Sequence, residues 1–210
     1  MRPLRALAVV VTAWLMVAAA PPPASGQPRE ALGGWAIDLR GAFGALPTTA
    51  GWTPPLGTGS VVPGRGFGVE GGVHVLAGPG RHRRLSLGVS GVAVQGRSTS
   101  ATTSVTVTSR LVGLVPHIGV NFGHRRGWSY VSAGAGAASV TSTVKGGTED
   151  PATWGLVVHY GGGARWFARE RVAVSLDLRF WALTPRAATA TRPSAAASTR
   201  VFVSAGVAVR

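Results

Sequence analysis

The sequence predicts an all-β protein: an eight-stranded antiparallel up-and-down transmembrane β-barrel preceded by a signal peptide. Three observations carry this expectation. Apolar residues alternate with small or polar ones in eight separate segments, while no helical periodicity sustains itself past residue 26. The connections between segments are short and long by turns, as in a barrel with tight turns at one end and loops at the other. Only 13% of residues are charged, against about 25% in ordinary soluble domains, although 31 glycines and 45% hydrophobic residues are spread along the chain.

Composition also removes several classes. A mean hydropathy of +0.25 disfavours a disordered chain. The absence of cysteine rules out a disulfide scaffold. After the first 20 residues no apolar run approaches the roughly 18 residues that a membrane-spanning helix needs. The balance of 21 Lys+Arg against 7 Asp+Glu gives a net charge of +14 and raises the question of a nucleic-acid partner.

The N-terminal segment reads as an address. Arg2 and Arg5 precede the apolar stretch from Ala6 to Ala20, and Ala24-Ser25-Gly26 offers small residues for cleavage. Residues 1–26 are therefore expected to be a secretory signal peptide, 27–32 a short lead, and 33–210 the barrel domain.

The first segment places Trp35, Ile37, Leu39 and Phe43 on one face and Asp38 and Arg40 on the other. The second, near 65–77, sets Glu70 and His74 against a face containing Phe67. The third, 83–95, carries Arg84 on its polar side. The fourth, 105–122, changes phase around Ser109-Arg110, which predicts a β-bulge, with His117 polar-facing and Phe122 apolar-facing. The fifth, 127–141, is the weakest, since its Gly/Ala run at 134–138 gives little face information; Trp128 and Tyr130 are assigned to its apolar face. In the sixth, 154–167, Trp154, Leu156, Val158, Tyr160 and Trp166 oppose His159 and Arg165. In the seventh, 172–181, Val172, Val174, Leu176, Leu178 and Phe180 oppose Asp177 and Arg179. The eighth, 199–209, alternates through Val201, Val203, Val207 and Val209.

Short connections follow the second, fourth and sixth segments; long Thr/Ser/Gly/Ala/Pro-rich ones cover about 46–64, 96–104, 142–153 and 185–198. The polar faces carry few charges, and Lys145 is the chain's only lysine, so these faces do not read as water-exposed. Small residues among them suit a narrow lumen. Aromatics near segment ends (Trp35, Phe43, Phe67, Phe122, Trp128, Tyr130, Trp154, Trp166 and Phe180) are expected to form interfacial girdles. Lipid is therefore expected outside and the polar face inside. The soluble alternative is an exported lipocalin-like binder with the faces exchanged.

With this pattern the chain resembles the small OmpA/OmpX-type outer-membrane β-barrels of Gram-negative bacteria, and more broadly the outer membrane protein β-barrel domain group. The resemblance covers about 33–210 and is one of pattern. It implies export, residence in the bacterial outer membrane, and assembly by the barrel-assembly machinery. Families of this type usually close on a terminal aromatic, whereas this last strand (TRVFVSAGVAVR) ends in Arg210. The periplasmic peptidoglycan-binding domain of full-length OmpA-type proteins is not expected after the barrel.

The expected lumen carries both signs: Asp38, Glu70 and Asp177 with Arg40, Arg84, Arg165, Arg179 and the histidines His74, His117 and His159. Buried charges must pair, so these residues are expected to form a polar network that plugs the lumen and sets register; a gate for ions or small solutes is the functional alternative. The basic turns at 81–84, 124–126 and 169–171 lack interleaved aromatics and are assigned to anionic head groups, with no nucleic-acid role. The histidines show no metal-ligand spacing, and neither a catalytic constellation nor a cofactor motif emerges. The expected role is structural or surface-interactional, in a monomer contacting outer-membrane lipids and lipopolysaccharide. A narrow pore or conduit for small or hydrophobic solutes is the alternative, and a lipid-modifying hydrolase using His159 or His117 with a loop serine is a third reading.

Overall fold

The computed structural model describes residues 34–48, 52, 60–77, 83–124, 126–146, 154–188 and 193–210. The proposed signal peptide and lead, the turn residues Arg81, His82 and Arg125, and most of the residues in the 46–64 loop lie outside the described residues. Eight strands follow one another: β1 (Trp35–Ala45), β2 (Arg65–Ala77), β3 (Arg83–Thr99), β4 (Thr106–His124), β5 (Gly127–Val144), β6 (Trp154–Phe167), β7 (Val172–Leu183) and β8 (Ser198–Val209). Each pairs antiparallel with its sequence neighbours, and β1 closes on β8 from Ile37↔Val209 to Gly44↔Phe202. Closure leaves no free sheet edge to template aggregation.

Alternation decides which side chains enter the barrel, because successive Cβ atoms in a strand point to opposite faces. β1 alternates exposed and buried over almost its whole length, with Ile37 and Leu39 outside and Asp38 and Arg40 inside. The outer face is apolar around the barrel: Leu39, Val69, Leu87, Leu114, Ile118, Leu156, Val174 and Val207 are all exposed. A soluble barrel would bury these side chains and expose the charges, so the faces are those of a barrel bounded by lipid.

The lumen is filled in three storeys. At the loop end, Leu46, Trp52, Val94, Leu111, Trp181 and Phe202 belong to one buried apolar cluster, which Ala195 joins from the β7–β8 connection. Its described residues Arg186 and Ala195 form a bridge, and the Arg186 guanidinium lies 5.1 Å from the Trp52 ring. Ionisable residues occupy the middle storey. At the turn end, Ala36, Leu76 and Trp128 form a smaller apolar cluster, with Phe167 against it.

Three expectations are corrected. No bulge occurs at Ser109-Arg110: β3 and β4 hold one register from Arg83↔Phe122 to Thr99↔Thr106. The apparent phase change is chemical, because the inward face of β4 turns apolar at Leu111 and Val115 where it enters the loop-end cluster. Trp128 and Tyr130 face the lumen, both 2% exposed, and leave the proposed girdle. Val131 and Ala133 set the outward phase of β5, and Gly163 opposite Tyr130 leaves room for its ring. Finally, β3 and β5 run past residues 95 and 141 into stretches expected to be loop. Thr and Ser are compatible with strand, and the Thr99 and Thr106 hydroxyls meet at 3.0 Å across the β3–β4 ladder. The connection between these strands shrinks to a turn, in which Ser104 takes φ 56° and donates its N–H to Ser100 O at 2.9 Å.

Candidate functional site

The middle storey takes at least one polar side chain from every strand. Alternation delivers Asp38 and Arg40 from β1, Glu70 and His74 from β2, Ser90 from β3 and His117 from β4. Tyr130 and Ser132 come from β5, His159 and Arg165 from β6, Asp177 and Arg179 from β7, and Ser204 from β8. Interior glycines make the space: a Cβ on Gly88 would meet the rings of both His74 and His117.

Arg40 is the hub. Its Nη2 donates to Glu70 Oε1 at 3.0 Å, and its Nη1 donates to Tyr130 OH at 2.9 Å while lying 3.1 Å from Asp177 Oδ2. The Tyr130 hydroxyl donates to Asp177, which also accepts from Arg179 Nη2 at 2.9 Å. Glu70 Oε2 accepts from Ser204 Oγ at 2.8 Å, and Arg179 Nη1 donates to Ser132 Oγ. Asp38 accepts Arg165 in a two-pronged contact, from Nε at 2.8 Å and from Nη2 at 2.5 Å. The Arg165 guanidinium lies 4.1 Å from the Tyr130 ring centroid, a cation–π contact in a desolvated setting. Three carboxylates thus face three guanidinium groups, which satisfies the pairing that buried charge requires. Each is linked to groups on other strands, so the network ties the strands together.

The histidines continue the network. His74 Nε2 lies 2.8 Å from Asp38 Oδ2, and His74 Nδ1 lies 3.1 Å from His117 Nε2. His117 Nδ1 is 3.5 Å from Ser90 Oγ and 3.4 Å from the Val115 carbonyl. His159 stands edge-on to His117 with centroids 5.9 Å apart and packs against Trp181 at 5.2 Å. The order Asp38–His74–His117–Ser90 contains the members of a charge relay. Ser90 is nonetheless 0% exposed, and the space beside it is taken by imidazole rings rather than left for an acyl group. Among the described residues the arrangement is a buried chain of hydrogen-bonding groups from Asp38 to Ser90. No group of three or more His, Cys, Asp or Glu is placed to hold a metal ion among the described residues.

Of the ten residues expected in the lumen, nine are buried in this storey, whereas Arg84 is half-buried near the turn end of β3. Tyr130, Ser90, Ser132 and Ser204 complete the network and were absent from the expected set. Two of these serines had a signal: Ser90 alternates with Leu87 and Val89, and Ser204 with Val203. Among the expected aromatics, Trp35, Phe43, Phe67, Trp154 and Trp166 are exposed on the outer face, and Phe122 and Phe180 are half-buried. Trp35 and Trp166 lie at the turn end; Phe43 and Phe67, with ring centroids 4.7 Å apart, lie at the loop end.

At the turn end Arg83, Arg126, Arg169 and Arg171 are exposed. Arg210 donates from Nε to the Glu170 carbonyl at 2.8 Å, and its guanidinium lies 4.0 Å from the Phe167 ring centroid. The residue standing where a terminal aromatic was expected thus covers an aromatic of the turn-end cluster.

No family model and no curated protein matches the chain. Among solved structures the fold is similar to Neisserial surface protein A, at 12% identity over 84% of this chain and 97% of that one, with a TM-score of 0.49. It is also similar to Ail, the attachment invasion locus protein of Yersinia pestis, at 10% identity over 84% of this chain and 99% of that one, TM-score 0.49. A structure of Ail with the heparin analogue sucrose octasulfate aligns at 10% identity over 83% and 97% of the two chains, again at 0.49.

Proposed function

We propose that this chain is an integral protein of the bacterial outer membrane, monomeric and non-enzymatic, with a structural or surface-contact role. The observation that carries the reading is the combination of an apolar outer belt with a lumen filled from end to end. The belt supports lipid as the surrounding medium, and the filled lumen leaves the outer surface and loops as the parts available to partners. Export through the signal peptide and insertion by the barrel-assembly machinery follow from the same reading. The lumen supports the structural role of the charge network over the gate, since apolar clusters cover it on both sides.

Cell fractionation followed by electrophoresis with and without boiling tests the proposal. An outer-membrane band whose mobility changes on heating is the expected result; a band in the soluble periplasmic fraction would sink it. Planar-bilayer recordings of the purified chain are expected to stay silent, and stepwise conductance would favour the pore.

A further inference from the structure

Strand register gathers three arginines on the outer face, directly above the apolar belt. One cross-strand row runs Phe67, Gln95, Arg110 and Thr141 from β2 to β5. The next row toward the loops places Arg97 opposite Thr108 and Thr108 opposite Thr143, and the backbone of Arg65 adjoins that of Gly96. Arg65, Arg97 and Arg110 are all exposed. Arg97 and Arg110 are diagonal neighbours on adjacent strands, a separation at which like charges repel unless an anion lies between them. The described outer faces of β2 to β5 carry no Asp or Glu, because Glu70 points inward. Gln95, Thr108 and Thr141 add neutral hydrogen-bonding groups between the cations. On β2, below Arg65, Phe67 is 73% exposed and Val69 55%, an apolar wall leading from the patch toward the belt.

We propose that this patch binds a multiply phosphorylated glycolipid of the loop-side leaflet, its phosphates held by Arg65, Arg97 and Arg110 and its acyl chains lying along Phe67 and Val69. The committed ligand is the lipid A portion of lipopolysaccharide. Two inter-strand steps of about 4.8 Å separate β2 from β4, so the cations span about 10 Å. That breadth suits a headgroup with more than one phosphate better than a single phosphodiester. Arginine serves such a site because its planar guanidinium donates two parallel hydrogen bonds to one phosphate. The site rests on the outer-membrane reading above and adds a lipid class and a position to it.

The full chain, folded in detergent micelles, is titrated with bisphosphorylated lipid A, its dephosphorylated form and phosphatidylglycerol, with binding read by native mass spectrometry. The triple variant R65Q/R97Q/R110Q is expected to bind bisphosphorylated lipid A at least about tenfold more weakly, with little change for the dephosphorylated form. The charge-conserving pair R97K/R110K is expected to bind with an affinity between those of the parent and the triple variant, since lysine keeps the charge but loses the two-pronged hydrogen bonds. The turn-end variant R83Q/R126Q is expected to retain the full affinity. Heat-modifiable mobility of every variant reports that the barrel has folded. Equal affinity for phosphorylated and dephosphorylated lipid A, or an unaffected triple variant, would overturn the site. Phosphatidylglycerol binding as tightly as lipid A would overturn the multi-phosphate assignment. Loss of heat-modifiability in the unaltered chain would instead bring down the outer-membrane reading itself.

Discussion

Asp177 is the residue at which the network is most exposed to a single loss. It accepts from Tyr130 and Arg179 and lies 3.1 Å from Arg40, so Asp177→Ala removes a partner from three buried groups at once. Removing one partner of a buried pair costs about 3–5 kcal/mol, and this loss is expected as a lower urea midpoint in lipid vesicles. Conductance is expected to remain absent, because Trp181 and Leu111 above and Trp128 below are untouched. Unchanged stability with a large gain in conductance would show that Asp177 is part of a gate. Gly163 provides a second test at this scale. A Cβ there would meet the Tyr130 hydroxyl at 2.8 Å and the backbone of β7, so Gly163→Val is expected to lose about 1–3 kcal/mol by overpacking. If Gly163→Val unfolds at the same urea concentration as the parent, the close packing of the Tyr130 ring is not a constraint.

At the scale of the strand, the distinction between lipid-facing and water-facing surface is open to a direct test. Ile118 is 69% exposed at mid-strand on β4, two residues from Pro116. In a membrane barrel, Ile118→Arg places a guanidinium in hydrocarbon at a cost of about 2–4 kcal/mol, whereas in a water-bounded barrel the substitution is nearly neutral. Reduced folding yield into vesicles, with Gln95→Arg at the belt's upper edge tolerated, is the expected pattern; two equally tolerated changes would contradict it. Strand positions were legible in the sequence because alternation is a local property: β1, β6 and β7 each carry large side chains on one face and charge or glycine on the other. β5 was legible as a strand but not in its facing at Trp128 and Tyr130, since an aromatic ring is at home in lipid or against a buried carboxylate. Only register settles that choice, by placing Gly163 beside Tyr130. The supposed bulge in β4 has a related origin. In sequence an apolar residue on an alternating strand reads as lipid-facing, yet Leu111 and Val115 are apolar because the lumen itself is apolar there.

For the whole molecule, the structural role proposed above makes the three storeys seals in series, with closure expected to be insensitive to the loss of any one of them. Trp181 packs so closely in the loop-end cluster that a Cβ on Gly113 would clash with its ring, and Trp128 belongs to the turn-end cluster. Truncating either to alanine removes an aromatic from close packing at a cost of about 3–5 kcal/mol, yet the polar storey between them still crosses the lumen from Arg40 on β1 to Tyr130 on β5 and from Asp38 on β1 to Arg165 on β6. The double variant Trp128→Ala/Trp181→Ala is therefore expected to be less stable but still silent in planar bilayers. Permeation needs a continuous wet path, and guanidinium groups held by buried carboxylates are expected to stay in place when an apolar neighbour is lost. Single-channel steps from the folded double variant would mean that the apolar clusters, rather than the charges, close the barrel. That result would turn the middle storey from a plug into a lining and would move the chain from a structural protein toward a pore held shut at its ends.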